Sequence, residues 1–400
     1  MTQYLARINE SALRSRLKAT PVVAVTGPRQ CGKSTLVKHL LEKHKNVLYL
    51  DLERPTDLEK LALPELFLQA QKGKLICIDE IQRKPELFPL IRSLVDEWQR
   101  SGCFLILGSA SRELLKQSSE SLAGRISYNR LTPFLLNELP GCSIEDYLTR
   151  GGFPRSILAG SQKHSYEWRQ DFIATFLERD LLQWAGFTPT TMRRLWKMLA
   201  YLNGQTANFA RLGSALNISA VLARHYIDLL TSTYMTDLVE PYFSNLKKRL
   251  VKAPKVYIAD SGLANALLEI RSYADLTGHP SIGAAWESVA LANLRGWYPA
   301  AEIFYYRTSA GAEIDFILKL AGKVIALECK VSSETSLSKG NYFALEDIKP
   351  DHAFVVTPSG SSWPLRKNIE VVSLKELRHK LHKIFSYSHS IVAGGLEEIS

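Results

Sequence analysis

The sequence predicts an α/β protein: a parallel sheet with helices near the N-terminus, a mostly helical middle, and a second α/β region at the C-terminus. Three observations predict it. Short apolar runs at 22–25, 47–51, 75–79 and 104–108 are each bounded by polar or glycine residues and separated by helix-like segments, the pattern of buried parallel strands. From about 140 to 270 the periodicity is helical, apart from two β-like runs between 234 and 258. Strand-like runs return at 303–307, 313–318, 324–330 and 353–357, and the tail from 386 is polar and contains glycine.

The bulk numbers fit several ordinary globular domains. The chain has 400 residues, of which 46% are hydrophobic and 22% charged, enough for sizeable cores. Its net charge of +10 favours an anionic partner, nucleic acid first; a merely basic soluble protein is the alternative. Five cysteines (Cys31, Cys77, Cys103, Cys142, Cys329) form no CxxC pair, which argues against a disulfide framework or a zinc site. The N-terminus has no apolar leader and no run of about 18 apolar residues occurs, so the expectation is a cytoplasmic protein without a membrane partner.

The first apolar run leads into Gly27-Pro28-Arg29-Gln30-Cys31-Gly32-Lys33-Ser34, followed by Thr35. This matches G-x-x-x-x-G-K-[ST], a loop whose backbone N–H groups and following helix N-terminus cradle phosphates. Lys33 is expected on the β- and γ-phosphates of ATP and the Ser34 hydroxyl on Mg2+. The run 75–79 ends in Asp79 and is followed by Glu80. Asp79 closing a buried strand suits a magnesium ligand, and Glu80 suits a residue that orients the attacking water. Ser109, at the end of the next run, is a candidate for sensing the γ-phosphate. Arg125, on a glycine-flanked turn, is a candidate for stabilising transition-state charge in a neighbouring subunit's site.

These residues, together with Ile78-Asp79-Glu80-Ile81-Gln82, Ser121-Leu122-Ala123-Gly124-Arg125, Leu131-Thr132-Pro133-Phe134, Gly151-Gly152-Phe153-Pro154, Glu178-Arg179-Asp180 and Pro254-Lys255-Val256-Tyr257-Ile258-Ala259-Asp260-Ser261-Gly262-Leu263, occur in one ordered series. The series resembles the AAA-family ATPases that carry a C-terminal DUF4143 domain, over nearly the whole chain. The resemblance implies an AAA+-like core at 1–139, a helical lid-like segment at 140–190, and a winged-helix-like segment at 191–272. A restriction-endonuclease-like domain at 273–385 and a flexible tail at 386–400 complete it. It also implies a homo-oligomer, with a hexameric ring in view, Arg125 acting in trans, and Arg155 as a weaker second ATP-sensing arginine. Many AAA+ proteins place asparagine where this chain has Ser109.

Two further constellations bear on partners. Three short helices followed by a hairpin resemble a winged helix, with Arg224 and His225 offered to a groove. Lys247, Lys248, Arg249, Lys252 and Lys255 line its wing as candidate DNA phosphate contacts; the alternative is a solvated basic edge. Downstream, Asp315 and Glu328-Cys329-Lys330, with Glu287 on the preceding helix, resemble the D…E-x-K set of restriction-endonuclease-like folds. Residues two apart on a strand share a face, so Glu287, Asp315 and Glu328 are candidate ligands of a second divalent metal, with Lys330 positioning a water. The alternative there is an ion-pair cluster without a metal. His352, His379 and His382 are scattered and read as surface residues. The reading is an oligomeric ATPase acting on DNA; the alternatives are an ATP-regulated nuclease and a nucleotide-controlled switch with a protein partner.

Overall fold

The computed structural model describes residues 4–42, 44–109, 121–180, 188–243, 250–331, 335–358 and 360–394. They form two compact units, one of residues 1–134 with 229–235, the other of 135–228 with 236–400.

In the first unit five parallel strands, β1 (Val22–Gly27), β2 (Val47–Asp51), β3 (Leu75–Asp79), β4 (Phe104–Ser109) and β5 (Ile126–Arg130), lie in the order β2-β3-β4-β1-β5. The apolar runs 22–25, 75–79 and 104–108 form the three central strands because both faces are covered, and the less buried run 47–51 forms the edge strand β2. Val22, Ala24, Ile76, Ile78, Phe104 and Ile106 join one apolar cluster, where the helix Leu87–Trp98 contributes Phe88, Ile91 and Val95. Their neighbours Val23, Val25, Cys77, Leu105 and Leu107 join a second, with Leu13 and Leu17 of the helix Glu10–Ala19 and Leu36, Val37 and Leu40 of the helix Lys33–Leu41. Period-two alternation into two separate cores is what a sheet sandwiched between helices requires. It also aligns the carboxyl ends of β1, β3 and β4 at one edge, where ligands of open α/β sheets bind.

Among the described residues, the second unit is built on nine strands in the order β13-β14-β12-β11-β10-β9-β7-β8-β6. These are β6 (Gln205–Thr206), β7 (Thr236–Pro241), β8 (Lys255–Ile258), β9 (Glu302–Arg307), β10 (Glu313–Leu320), β11 (Lys323–Cys329), β12 (His352–Thr357), β13 (Trp363–Arg366) and β14 (Ile369–Ser373). The pair β7–β8, expected as a wing, is stitched into this sheet: β7 pairs antiparallel with β8 and parallel with β9 through Glu240 and Pro241. The helix Leu374–Gly394 continues past 386, where the sequence suggests a tail. Leu374, Leu377, Leu381 and Phe385 are its buried stripe, at the three- and four-residue spacing that anchors a helix.

Two of the motif segments meet in this unit. The Asp260 carboxylate accepts hydrogen bonds from Gly152 N (2.7 Å) and Leu263 N (2.9 Å), capping the helix Ser261–Leu267. Beside it the fully buried Arg169 donates to the carbonyls of Thr149 and Gly262. A Cβ on Gly262 would stand 2.1 Å from the Arg150 carbonyl oxygen. The Gly151-Gly152 and Asp260-Ser261-Gly262 signatures are therefore the two halves of a packing joint.

Candidate functional site

The loop between β1 and the helix Lys33–Leu41 has the geometry of its motif. Gly27 has φ 153°, and a Cβ there would lie 2.1 Å from the Leu131 carbonyl oxygen. Gly32 caps the helix at φ 100°, a left-handed conformation that glycine adopts without steric cost. Pro28 and Cys31 are buried, Arg29 and Ser34 half-buried, and Gln30 and Thr35 exposed. Lys33 is only 6% exposed, and its Nζ donates to the carbonyls of Gly27 (3.0 Å) and Pro28 (2.9 Å). The ammonium is held by two dipoles of the loop, which orient it.

Asp79 and Glu80 stand at the carboxyl end of β3, as expected. Asp79 is buried; its Oδ2 accepts the Tyr49 hydroxyl at 2.5 Å and its Oδ1 accepts Glu80 N at 3.0 Å. Glu80 has a left-handed backbone, φ 55°, and its side chain accepts a hydrogen bond from Gln82 Nε2. Burial raises the Glu80 carboxyl above the ordinary carboxylate range, against the opposing pull of Lys33. Ser109 ends β4 in register with Gly27; its side chain lies outside the described set. The sheet thus gathers 27–35, Asp79, Glu80 and the Ser109 backbone at one edge.

Arg125 stands elsewhere. Its carbonyl accepts Val22 N at 3.1 Å, and β5 runs parallel to β1 from Val22↔Ile126 onward. Arg125 therefore sits at the amino end of the strands, about 17 Å along β1 from Gly27 at about 3.3 Å per residue. It forms a two-pronged pair with Asp96, Nε–Oδ1 2.5 Å and Nη2–Oδ2 2.8 Å.

Sequence reasoning missed three residues that brace this edge. Arg7, 6% exposed, donates to the carbonyls of Cys31 (3.1 Å), Thr132 (2.6 Å) and Pro133 (3.2 Å), and its guanidinium lies 4.5 Å from the centre of the Phe134 ring. Tyr49 fixes Asp79. Tyr234, with φ 62°, bonds Thr26 Oγ1 at 3.3 Å while the Arg130 guanidinium covers its ring at 4.5 Å. Only Tyr49 carried a signal, as a polar-tipped ring in the strand next to Asp79.

In the second unit the carboxylates come together, but around a lysine. Lys255, expected on an exposed wing, is 2% exposed; its Nζ lies 2.8 Å from Glu313 Oε1 and 3.7 Å from Asp315 Oδ1. This corrects its assignment as a DNA contact: β8 is an inner strand of the sheet, so its side chain points into the unit. Asp315 Oδ2 accepts Cys329 N at 2.9 Å, Glu328 pairs with Lys330 at 2.8 Å, and the Tyr257 hydroxyl donates to Glu287 at 2.7 Å. Burial pushes Glu287 and Glu328 up to about 8, and the charge of Asp315 adds to this. Burial also raises Asp315, against the pull of Lys255. No three His, Cys, Asp or Glu side chains among the described residues are placed to hold a metal ion. The second-metal expectation at Glu287, Asp315, Glu328 and Lys330 gains no support here: ammonium groups and a phenol already contact these acids, although Glu328 Oε2 is buried without a partner among the described residues.

Of the remaining DNA candidates, Arg224 is exposed with its guanidinium 5.5 Å from the Phe209 ring, and Lys252 is exposed. Lys247, Lys248 and Arg249 lie outside the described residues. No described helix is long and apolar enough to cross a membrane.

Comparison with known proteins places three family models on the chain: "AAA domain" over 19–139, "Domain of unknown function (DUF8612)" over 142–274 and "Domain of unknown function (DUF4143)" over 282–377. The "Uncharacterized protein Rv2008c" of Mycobacterium tuberculosis is 39% identical over 366 residues, covering 91% of this chain and 82% of that protein. The "Uncharacterized protein Mb2031c" of Mycobacterium bovis matches to the same extent. Among solved structures, the Walker-type ATPase PABY2304 of Pyrococcus abyssi is similar at 16% identity and a TM-score of 0.47, over 66% of this chain and 96% of that one. AMPPCP-bound DnaA from Aquifex aeolicus is similar at 14% identity and a TM-score of 0.28, over 56% and 86%.

Proposed function

We propose a function for a chain that belongs to the family of AAA-type P-loop ATPases with a C-terminal DUF4143 domain: it hydrolyses ATP and couples that turnover to DNA. The observation that carries the reading is the convergence of Lys33, Asp79 and Glu80 at the carboxyl edge of one parallel sheet. Backbone N–H groups from 27 to 35 would receive the phosphates, and the Lys33 ammonium, held only by carbonyl dipoles, would turn to the β- and γ-oxygens. Ser34 and Asp79 would hold Mg2+, and the donor set suits it: one hydroxyl and one buried carboxylate oriented by Tyr49. When bound, the ion supplies charge neutralisation between the phosphates. Glu80, lifted by burial, would orient the attacking water, with Gln82 fixing its carboxyl.

Oligomerisation is part of the proposal: Arg125 lies at the amino end of the strands, away from its own loop, which fits a role in a neighbour's site. The DNA role rests on the +10 charge and on exposed Arg224 and Lys252. The Lys255 ammonium, 2.8 Å from Glu313 and 3.7 Å from Asp315, weighs against the nuclease alternative.

The test is steady-state ATP turnover of the wild type and of Lys33→Ala, with and without single strands, duplexes, forks and junctions. Strong stimulation by one DNA structure, abolished in Lys33→Ala, is the expected result. Turnover indifferent to every DNA would sink the DNA role and favour a nucleotide-controlled switch with a protein partner.

A further inference from the structure

We propose that the second unit contains a binding site for a phosphate monoester, between the helix Leu374–Gly394 and the end of the helix Ile282–Trp297. The inference stands apart from the ATP site. A cavity of about 330 Å³ opens there, at the small end of ligand pockets. Lys375, Arg378, His379 and His382 line it from one helix. Their spacing of three, four and seven residues puts all four on one stripe, flanking the buried stripe Leu374, Leu377, Leu381 and Phe385.

The chemistry of the lining has one sign. Every titratable group on it is a lysine, an arginine, a histidine or the Tyr298 phenol, and no carboxylate contributes. None of the four basic side chains makes an ion pair with another described residue, whereas Lys380 on the same helix is paired with Glu370. The aromatic wall is fixed: Tyr298 donates to the Arg378 carbonyl (3.3 Å) and packs edge-on against Phe385 at 5.2 Å. Trp297, 8% exposed, also lines the cavity, and its buried indole N–H has no acceptor among the described residues.

An unneutralised guanidinium and ammonium, two imidazoles and the Asn137 amide line a space that suits a compact dianion. The indole and phenol beside it suit a flat group attached to that anion. A phosphate monoester satisfies both, carried either by a free nucleotide or by the 5′ end of a nucleic-acid strand. The histidines that look scattered in the sequence are thus two members of one cluster.

The test reads the site locally. Carbethoxylation of His379 and His382 by diethyl pyrocarbonate is followed by mass spectrometry on the full chain. The probes are inorganic phosphate, thymidine 5′-monophosphate, and oligothymidylates with a 5′-phosphate or a 5′-hydroxyl, each against sodium chloride at equal ionic strength. The expected result is protection of both histidines by the phosphate-bearing probes and not by chloride. In Lys375→Gln/Arg378→Gln the concentration giving half protection should rise about tenfold or more, since each charged hydrogen bond is worth that much. A phosphorylated strand acting at far lower concentration than the mononucleotide assigns the site to strand ends; equal potency assigns it to a free ligand. Protection by chloride alone, by the hydroxyl-ended strand as strongly as the phosphorylated one, or unchanged in the double variant overturns the proposal.

Discussion

Lys33 and Lys255 are both almost fully buried, at 6% and 2% exposure, yet they are held in opposite ways. Lys33 rests on two neutral carbonyl oxygens in the first unit. Lys255 rests on the carboxylates of Glu313 and Asp315 in the second. Carbonyl dipoles orient an ammonium without cancelling its charge, so Lys33, with the Glu80 carboxyl partly counteracting it, still attracts an incoming anion. Carboxylates cancel the charge, and Asp315, Glu287 and Glu313 together hold Lys255 protonated above the ordinary lysine range, although burial works against them. Burial of a lysine is therefore not the mark of a site; the formal charge of its partners separates a poised group from a structural one.

The sharpest way to break this contrast is to remove each ammonium in turn. Lys33→Met should lower ATP turnover by about 100-fold or more, the size of effect seen when a group stabilising transition-state charge is lost, while leaving the urea midpoint nearly unchanged. Lys255→Met should do the reverse, costing about 3 kcal/mol of stability because it leaves buried carboxylates uncompensated, with turnover per folded molecule retained. The penalty should be larger at pH 8 than at pH 5, since protonation neutralises the orphaned acids. Urea melts and turnover assays on both variants decide the matter, and a Lys255→Met protein as stable as wild type would refute the structural role.

The same contrast explains what the sequence disclosed. The loop 27–35 was legible because its chemistry is contiguous: glycines at turn positions, then a lysine and a serine at a helix start. Asp79 was legible because it ends an apolar strand. Lys255 was misread because its partners, Glu313 and Asp315, lie on β10, across a strand order that local periodicity does not encode. Arg7 was invisible for the same reason: its acceptors sit at 31, 132 and 133. The D…E-x-K spacing was read correctly as a shared face, but which cation meets those acids is decided by β8, a strand from outside that segment.

A gentler probe of the second region uses pH alone. Burial raises Glu287 and Glu328 to about 8, so the folded chain keeps protons that the unfolded chain releases above the ordinary value of 4.5. Unfolding then releases protons, and by linkage this pair's contribution to stability falls as pH rises from about 4.5 to about 8. Glu287→Gln removes one of the two groups, and the slope of unfolding free energy against pH should become shallower, by at most about 1.4 kcal/mol per pH unit. Parallel slopes for variant and wild type would show that Glu287 titrates normally.

The smallest expected effect concerns Arg125, a cation whose partner is a carboxylate, as for Lys255, but on the surface. Its pair with Asp96 is exposed on both sides, where water and salt weaken ion pairs. If Arg125 serves a neighbouring subunit's phosphates, Asp96 competes with them, and the pair must open in each assembled site. Asp96→Ala should then raise turnover by no more than severalfold, and only at protein concentrations where the chains associate, without shifting the melting temperature. Arg125→Ala should lower turnover under the same conditions, and the double variant should behave as Arg125→Ala, because freeing an arginine that is absent changes nothing. A rise in turnover for Asp96→Ala that persists in the double variant would separate Asp96 from Arg125. The surface pair would then be an ordinary solvated contact, and the comparison would have to rest on the two buried lysines alone.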